Sequence, residues 1–136
     1  MRIAKAVLGW SAPLGVALMV SSPVQATGLI SCADMKADSS VDILLGAGPV
    51  SNVLSVNIAM GERELTTDPN RTGEKVSIAQ AYDDGEIFRI DLVDDQATTR
   101  MAIVRLVKRE HESMPLQLGI VQIENEPPVG VSCIGP

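Results

Sequence analysis

Aromatic side chains are scarce in this sequence, which has one Trp, one Tyr and one Phe among its 136 residues. Proteins that bind sugars or unpaired bases commonly stack them against aromatic rings. The composition therefore argues against a surface that binds sugars or unpaired bases by stacking. It also means that a hydrophobic core must be built from Val, Ile, Leu, Met and Ala. The only tryptophan, Trp10, lies so close to the start that removal of an N-terminal leader would leave none.

Residue types that build common catalytic sites are also few. His111 is the only histidine and lies between Glu110 and Glu112; adjacent residues of a strand point to opposite faces, so a solvated turn is predicted. No Gly-x-Ser-x-Gly surrounds a serine, and no Cys-x-x-Cys is present. The sequence predicts neither an enzyme nor a cofactor. An enzyme that uses a carboxylate pair such as Asp83 and Asp91 is the alternative.

Basic residues are outnumbered, with 11 Lys and Arg against 17 Asp and Glu and a net charge of −6. The only dense basic run is Arg105, Lys108 and Arg109. Nucleic acids and anionic lipid surfaces attract clustered Lys and Arg, so nucleic acid is not a predicted partner. An acidic surface favours solubility and attracts cationic partners over a distance.

The sequence has no apolar run of the roughly 20 residues that a membrane-spanning helix needs. Arg2 and Lys5 precede an apolar stretch at 6–20, and the Ser-Ser-Pro at 21–23 ends it before any charged flank. This order of segments is typical of a cleavable secretory signal peptide. The sequence therefore predicts export and no transmembrane span in the mature chain.

Cleavage is predicted after Ala26, which gives a signal peptide at 1–26 and a single β-domain at 27–136. The mature chain would have 110 residues, enough for one hydrophobic core, with nine basic and 17 acidic residues and a net charge of −8. The predicted location is the periplasm or the outside of the cell.

A second form of processing remains open. Residues 29–32, Leu-Ile-Ser-Cys, resemble a lipobox, in which Cys32 would be lipidated and become the new N-terminus. The apolar region ends well before Leu29, whereas a lipobox normally adjoins it, and lipidation would leave Cys133 without a partner. An acyl chain would anchor the protein to a membrane.

The two cysteines, Cys32 and Cys133, lie near the two ends of the predicted mature chain. Export delivers them to an oxidising compartment in which disulfides persist, and two cysteines allow one pairing. The sequence therefore predicts a structural disulfide that closes a loop of about 100 residues.

Apolar residues recur mainly at every second position, in short runs separated by Gly, Pro, Asn and Asp, which is typical of antiparallel strands. We expect an all-β fold: a single small antiparallel β-barrel or β-sandwich of about seven or eight strands, closed by one disulfide. A helix could instead start at 75–82. The stretch 101–107 is predicted to be the most central strand, and the charged stretch 108–112 to leave the core. The predicted strands lie near 41–45, 54–60, 63–67, 76–82, 88–92, 101–107, 116–123 and 129–134.

One loop resembles the front half of a calcium-binding loop, because Asp68, Asn70, Thr72 and Glu74 place oxygen-bearing side chains at alternate positions. The position at which a closing bidentate Glu should fall is occupied by Ala79. The sequence therefore gives weak calcium candidates, and an ordinary polar loop explains the same residues.

Two arginines, Arg89 and Arg105, lie in otherwise apolar strands. They are predicted to pair with Asp91 or another carboxylate. The alternative is an arginine that borders a ligand pocket.

These features predict an exported, non-enzymatic periplasmic binding or interaction protein of unknown specificity. The layout, a short β-barrel with one disulfide and an acidic surface, is similar to that of small exported lysozyme inhibitors, which bind a strongly basic enzyme. The resemblance, in layout only, implies a basic protein as partner. The alternative is a small-molecule or lipid carrier with an aliphatic barrel interior. The oligomeric state does not follow from the sequence.

Overall fold

The computed structural model describes residues 28–48 and 52–136, and all of their regular structure is β-strand. The predicted signal peptide, 1–26, and its cleavage after Ala26 lie outside the described residues. Within the described ranges, no helix has the length and apolar character needed to cross a membrane.

Ten strands form a single sheet in the order β5-β4-β3-β2-β1-β10-β9-β8-β7-β6. All neighbours are antiparallel except β4 and β5, which are parallel. In chain order the strands are β1 (Gly28–Ala33), β2 (Ser39–Gly46), β3 (Asn52–Met60), β4 (Arg63–Thr66), β5 (Glu74–Lys75), β6 (Ser77–Asp83), β7 (Ile87–Val93), β8 (Arg100–His111), β9 (Met114–Ile123) and β10 (Val129–Ile134).

The sheet is nearly closed into a barrel. β5 and β6 are separated only by Val76, yet β5 pairs with β4 at one margin of the sheet and β6 pairs with β7 at the other. The amide of Val76 also donates to the carbonyl of Thr66 at 3.1 Å. This one stretch of chain therefore joins both margins. The prediction of an all-β, barrel-like fold is confirmed, with ten strands instead of seven or eight; the additional strands are β1 and the two-residue β5.

The core fills the interior of the barrel with aliphatic side chains from nearly every strand. Side chains alternate between the two faces of a strand, so every second residue contributes to this core. Phe88 is the one aromatic ring among them. The fully buried aliphatic residues include Ile30, Val41, Ile43, Val56, Ile58, Leu65, Ile90, Leu92, Val104, Leu106, Val121 and Ile123.

Two local predictions were wrong. Residues 75–82 begin no helix, because β6 pairs with β7, with a bulge between Ile78 and Gln80. β8 is not the central strand, since it is third from one margin of the sheet. The charged stretch 108–112 leaves the core as predicted, since residues 109–112 are exposed, although β8 continues to His111 and Lys108 points inward. Its apolar stem is buried while its ammonium group keeps a partner.

The turn between β8 and β9 explains how two such long strands stay in register. Glu112 and Ser113 have φ values of 49° and 67°. Two consecutive residues with positive φ are typical of a type I′ hairpin turn, whose twist matches that of the flanking strands. The hairpin pairs β8 with β9 from Ala102 and Ile123 to His111 and Met114.

Candidate functional site

The predicted disulfide is confirmed. Cys32 on β1 and Cys133 on β10 are directly opposite each other, with their Cα atoms 4.0 Å apart and a sequence separation of 101. Lipidation of Cys32 would form a thioether at its sulfur atom. The disulfide uses the same atom, so lipidation of Cys32 and this disulfide exclude each other.

The calcium candidates form a hydrogen-bonded polar loop between β4 and β5. Asp68 Oδ1 accepts a hydrogen bond from the amide of Asn70 at 2.8 Å. Glu74 instead turns to Arg63, with 3.0 Å between Oε2 and Nη2. The loop does not direct these carboxylates at a common point, and the described residues contain no group of three His, Cys, Asp or Glu side chains that could hold a metal ion.

The ammonium group of Lys75 provides a cation for this loop. Its Nζ donates to the carbonyl oxygen of Asp68 at 2.9 Å and also to that of Arg71. The carbonyls that a hard cation would use are thus engaged by a side chain of the protein. Thr72 has an exposed position in the same loop. These contacts favour the interpretation as an ordinary polar loop.

The residues considered for catalysis do not converge. Asp83 pairs in register with the inward-facing Phe88, whereas Asp91 lies on the outer face, where Arg105 Nη2 donates to its Oδ1. His111 is exposed at the end of β8. Asp83 and Asp91 therefore point to opposite sides of the sheet and cannot act as a pair.

The predicted pairing of Arg105 with Asp91 is confirmed. Arg105 Nη1 also donates to the backbone oxygens of Ile90 and Val104, each at 2.9 Å. A guanidinium group with three such acceptors is fixed against the strand. These contacts favour a structural role over that of a pocket arginine.

Negative charge is concentrated at one end of the barrel. Because neighbouring strands alternate in direction, the turns β1–β2, β3–β4, β7–β8 and β9–β10 all emerge at the same end, which we call the acidic end. These turns, 34–38, 61–62, 94–99 and 124–128, contain seven carboxylates and a single basic residue, Lys36. The carboxylates are Asp34, Asp38, Glu62, Asp94, Asp95, Glu124 and Glu126.

Hydrogen bonds between different segments fix the turns of the acidic end relative to one another. The amide of Gly61 donates to the carbonyl of Asp38 at 3.3 Å, and the amide of Glu124 to that of Met101 at 2.8 Å. Arg63 Nη1 donates to the carbonyl of Glu124 at 3.3 Å. The acidic end is therefore a connected surface and not a set of independent loops.

Two grooves open on the acidic end. One has a volume of about 490 Å³ and lies between the β3–β4 and β9–β10 turns, where Glu62 and Glu126 line it. The second has a volume of about 310 Å³ and is lined by Arg100 and Glu124 among others. Each groove could accept a protruding side chain of a partner.

The charge of the acidic end is not neutralised locally. Five ion pairs are formed within residues 28–48 and 52–136, and their carboxylates are Glu64, Glu74, Asp83, Glu86 and Asp91. None of the seven carboxylates of the acidic end is among them. Their combined field therefore reaches solvent, where it attracts cationic partners.

The opposite end of the barrel has fewer carboxylates outside ion pairs than the acidic end: Asp84, Glu110 and Glu112. There Lys108 Nζ lies 2.7 Å from Asp83 Oδ2 and 5.1 Å from the centre of the Phe88 ring. Arg109 pairs with Glu86 at 3.3 Å. This end has cations and carboxylates in contact, which leaves less uncompensated charge to recruit a partner.

Gln117, near this opposite end, is the one described residue with a side-chain N or O atom that is shut off from solvent and lacks a hydrogen-bond partner. Its Nε2 donates to the carbonyls of Gly135 and Pro136, each at 3.1 Å. Its Oε1 is buried and has no partner among the described residues. Rotating the amide would place Oε1 against two carbonyl oxygens, so the observed orientation is the better one.

Asp94 at the acidic end and Asp84 in the β6–β7 turn at the opposite end each stabilise their own turn. Hydrogen bonds from the Thr98 hydroxyl, at 2.6 Å, and from the Thr98 amide, at 2.7 Å, hold the pKa of Asp94 below its usual value. Backbone amides of Ile87 and Glu86 lower the pKa of Asp84 in the same way. Both carboxylates are turn caps that favour the ionised form.

We expect Asp94→Ala to lower the thermal unfolding midpoint at neutral pH. A depressed folded-state pKa stabilises the fold above the unfolded pKa of about 3.9, and this stabilisation is lost as pH falls through the folded value. The difference between variant and wild type should therefore shrink below about pH 4, as measured by circular dichroism melts across pH. Asp95→Ala, which removes one negative charge at the neighbouring position, is the control. If both variants lowered the unfolding midpoint equally at every pH, the capping role of Asp94 would be contradicted.

The orientation of β9 was missed by sequence reasoning. Leu116, Leu118 and Ile120 alternate in the way that ordinarily marks a buried face, but they point outward and are exposed, while Gln117 points inward and is 5% exposed. Further along β9 the inward positions are apolar as well. The sequence pattern that could have revealed this orientation is that β9 is apolar on both faces. A strand of this kind requires a covering layer on each side.

No protein-family model matches this chain. Comparisons with curated proteins and with solved structures give no match either. Since a fold does not by itself imply a function, the function is inferred from the surfaces described above.

Proposed function

We propose that this chain is an exported, non-enzymatic binding protein, and that its acidic end binds a basic protein in the periplasm or outside the cell. The observation that carries the proposal is the presence of seven carboxylates, none in an ion pair, on four turns that are fixed at one end of the barrel. Electrostatic complementarity of this kind speeds encounter and selects the partner.

The grooves support a protein partner over a small cation. A basic protein presents Lys and Arg side chains on a broad surface, and the groove lined by Glu62 and Glu126 could accept such a side chain between carboxylates. Bidentate contacts between arginine and carboxylate give both energy and geometric specificity. The layout shared with small lysozyme inhibitors is in accord with a partner of this charge.

The carrier alternative stays a prediction without an observation in its favour. Side chains fill the described interior of the barrel, and the core residues there are almost fully buried. The grooves described above lie on the surface and not inside the barrel. A carrier would have to open this packed core to admit a ligand.

The proposal predicts that binding to a basic probe protein, such as lysozyme, depends on the acidic end. The triple variant Glu62→Gln, Glu124→Gln and Glu126→Gln should bind the probe about tenfold more weakly than wild type at low salt. High salt should weaken the wild-type complex as well, because exposed charges are screened. Isothermal titration calorimetry at two salt concentrations measures both effects.

A control variant separates a local site from net charge. Glu86→Gln, Glu110→Gln and Glu112→Gln together remove the same charge from the opposite end and should weaken binding much less. An equal loss for the two triple variants would show a non-specific charge effect, and a wild-type protein that binds no basic probe would also contradict the proposal.

A further inference from the structure

One groove of the acidic end opens at the mouth of the barrel. It is the groove of about 490 Å³ between the β3–β4 and β9–β10 turns, and we call it the mouth groove. Ser39 at the start of β2, Met60 at the end of β3 and Val129 at the start of β10 contribute inward-facing side chains to it. Ser39 and Met60 lie directly opposite each other in register. The floor of the mouth groove is therefore the end of the barrel interior.

This floor is apolar except for one hydroxyl group. Met60 and Val129 pack against the hydrophobic core, and Ser39 is only 6% exposed. The two hydrogen bonds between Ser39 and Asp34 both use the backbone of Ser39, with its amide donating to Asp34 Oδ1 and its carbonyl accepting from the Asp34 amide, each at 3.1 Å. The hydroxyl of Ser39 has no hydrogen-bond partner within residues 28–48 and 52–136.

The Ser39 hydroxyl opens into the mouth groove and is not sealed inside the core. Among the described residues, Gln117 Oε1 is the only side-chain N or O atom that is both shut off from solvent and without a partner. Since Ser39 Oγ also lacks a partner, solvent must reach it, and Ser39 lines the mouth groove. A ligand in the groove has to replace the hydrogen bond that water gives this hydroxyl.

Carboxylates surround this floor. Glu62 lines the mouth groove from the β3–β4 turn, and Glu126 lines it from the β9–β10 turn. Neither forms an ion pair with another described residue. Asp34, bound to the amide of Ser39, places a third carboxylate beside the floor. The mouth groove therefore offers negative charge on its walls and a hydrogen-bond acceptor at its base.

One cation, Arg63, also lines the mouth groove, but its charge is compensated. Its Nη2 lies 3.0 Å from Oε2 of Glu74, which does not line the groove. Its Nη1 donates to the carbonyl of Glu124 at 3.3 Å. This second contact ties the β3–β4 side of the groove to the β9–β10 side. The two walls are thus held in place before a ligand binds, which lowers the cost of binding.

A guanidinium group fits these acceptors better than an ammonium group does. The acceptors lie in three directions, with the Ser39 hydroxyl on the floor and the Glu62 and Glu126 carboxylates on the two walls. A guanidinium is planar and has five N–H donors along its edges, so it can face the floor and both walls together, whereas an ammonium is a compact charge with three donors. A guanidinium is also more weakly hydrated, so it loses less on entering a groove with an apolar floor.

We propose that the mouth groove binds an arginine side chain of the basic partner, with the guanidinium group between Glu62 and Glu126 and donating a hydrogen bond to the Ser39 hydroxyl oxygen. This site rests on the proposed function for its partner, and it adds the residue that anchors that partner and the position that selects arginine over lysine. Arginine is frequent among the few interface residues that dominate binding energy, and such residues lie in well-packed pockets. The other carboxylates of the acidic end speed encounter, and the mouth groove sets the orientation of the complex.

Tripeptides that differ only in the central side chain test the preference for arginine. The probes are N-acetylated and C-amidated Gly-Arg-Gly, Gly-Lys-Gly and Gly-citrulline-Gly, in which citrulline has the shape of arginine without its charge. In NMR titrations the arginine peptide should give saturable shifts at the amides of Ser39, Gly61, Glu62 and Glu126, and it should bind about tenfold more tightly than the lysine peptide. The citrulline peptide should not bind. Equal binding of the arginine and lysine peptides, or shifts spread over all four turns without saturation, would overturn the arginine site.

Two neighbouring serines test the role of the hydroxyl without changing the charge. Ser39→Ala should weaken binding of the arginine peptide about tenfold, because a hydrogen bond to a charged group is lost. Ser40→Ala is the matched control, since Ser40 is the next residue of β2 and is exposed on the outer face, and it should bind like wild type. Circular dichroism melts verify that both variants are folded. Wild-type affinity in Ser39→Ala would contradict the site.

Calorimetry with lysozyme separates this site from the proposed function. If lysozyme binds wild type and Ser39→Ala equally well, and the arginine peptide shows no preference for the mouth groove, the acidic end binds basic proteins without an arginine anchor. That result overturns the arginine site and leaves the proposed function standing. If the arginine peptide binds as expected and lysozyme does not bind, the site is supported and the proposed function is wrong.

Discussion

Replacing Cys32 and Cys133 with alanine together is expected to lower the free energy of unfolding by about 4 kcal/mol. The disulfide restricts the unfolded chain by closing a loop with a sequence separation of 101, for which the chain-entropy model gives about 4.7 kcal/mol. Most domains have only about 5–15 kcal/mol of stability in total. The effect should be visible as a large shift in the urea midpoint followed by far-ultraviolet circular dichroism.

Chemical reduction of the wild-type protein is the companion measurement. It removes the same bond without changing the residues, so reduced wild type and the double alanine variant should unfold at similar urea concentrations. A variant within about 1 kcal/mol of the oxidised wild type, well under the range of about 2–5 kcal/mol usual for small exported domains, would show that the bond contributes little here.

Gly119→Ala is expected to be the second most damaging of these substitutions, with a loss of about 3 kcal/mol or more. Gly119 lies opposite Leu106 on β8. A Cβ atom at this position would overlap the carbonyl oxygen of Arg105 and would lie 2.8 Å from the Cα of Leu106. These are backbone atoms, which cannot rotate away, so β8 and β9 must separate; overpacking of this kind costs about 1–3 kcal/mol and sometimes more.

Gly130→Ala on β10 is the matched control for Gly119→Ala. Its Cβ would meet nothing closer than the carbonyl oxygen of Gly119 at 4.0 Å. Alanine restricts the unfolded chain more than glycine does, so this variant should be neutral or slightly stabilising. Equal stability of the two variants in urea titrations would mean that β8 and β9 do not approach each other as closely as described.

The fold class and several strands could be predicted because local alternation determines them. Phe88, Ile90 and Leu92 alternate and are buried on β7, and β10 spans the predicted 129–134. The disulfide was predictable because two cysteines allow one pairing and the predicted export would place them in an oxidising compartment. These inferences need no knowledge of which strands are neighbours.

The rest could not be predicted because it depends on long-range pairing. Lys108 is charged, and its inward position becomes favourable only once Asp83 and Phe88 lie beside it. The outward direction of Leu118 follows from the register of β9 with β8 and β10, and a shift of one residue would reverse it. The acidic end is likewise visible only after the strand order has placed four separate turns together.

The pairing of β1 with β10 also has a consequence for the order of folding. Strands β2 to β5 and β6 to β9 are two sets of sequential neighbours, and each set can form its hairpins from local contacts. Among the strand pairings, only that of β1 with β10, across almost the whole described chain, joins the two sets. Closing so long a loop is slow. Assembly therefore has to wait until β10 has been synthesised, and the β1 margin stays open to chaperones or misassembly until then.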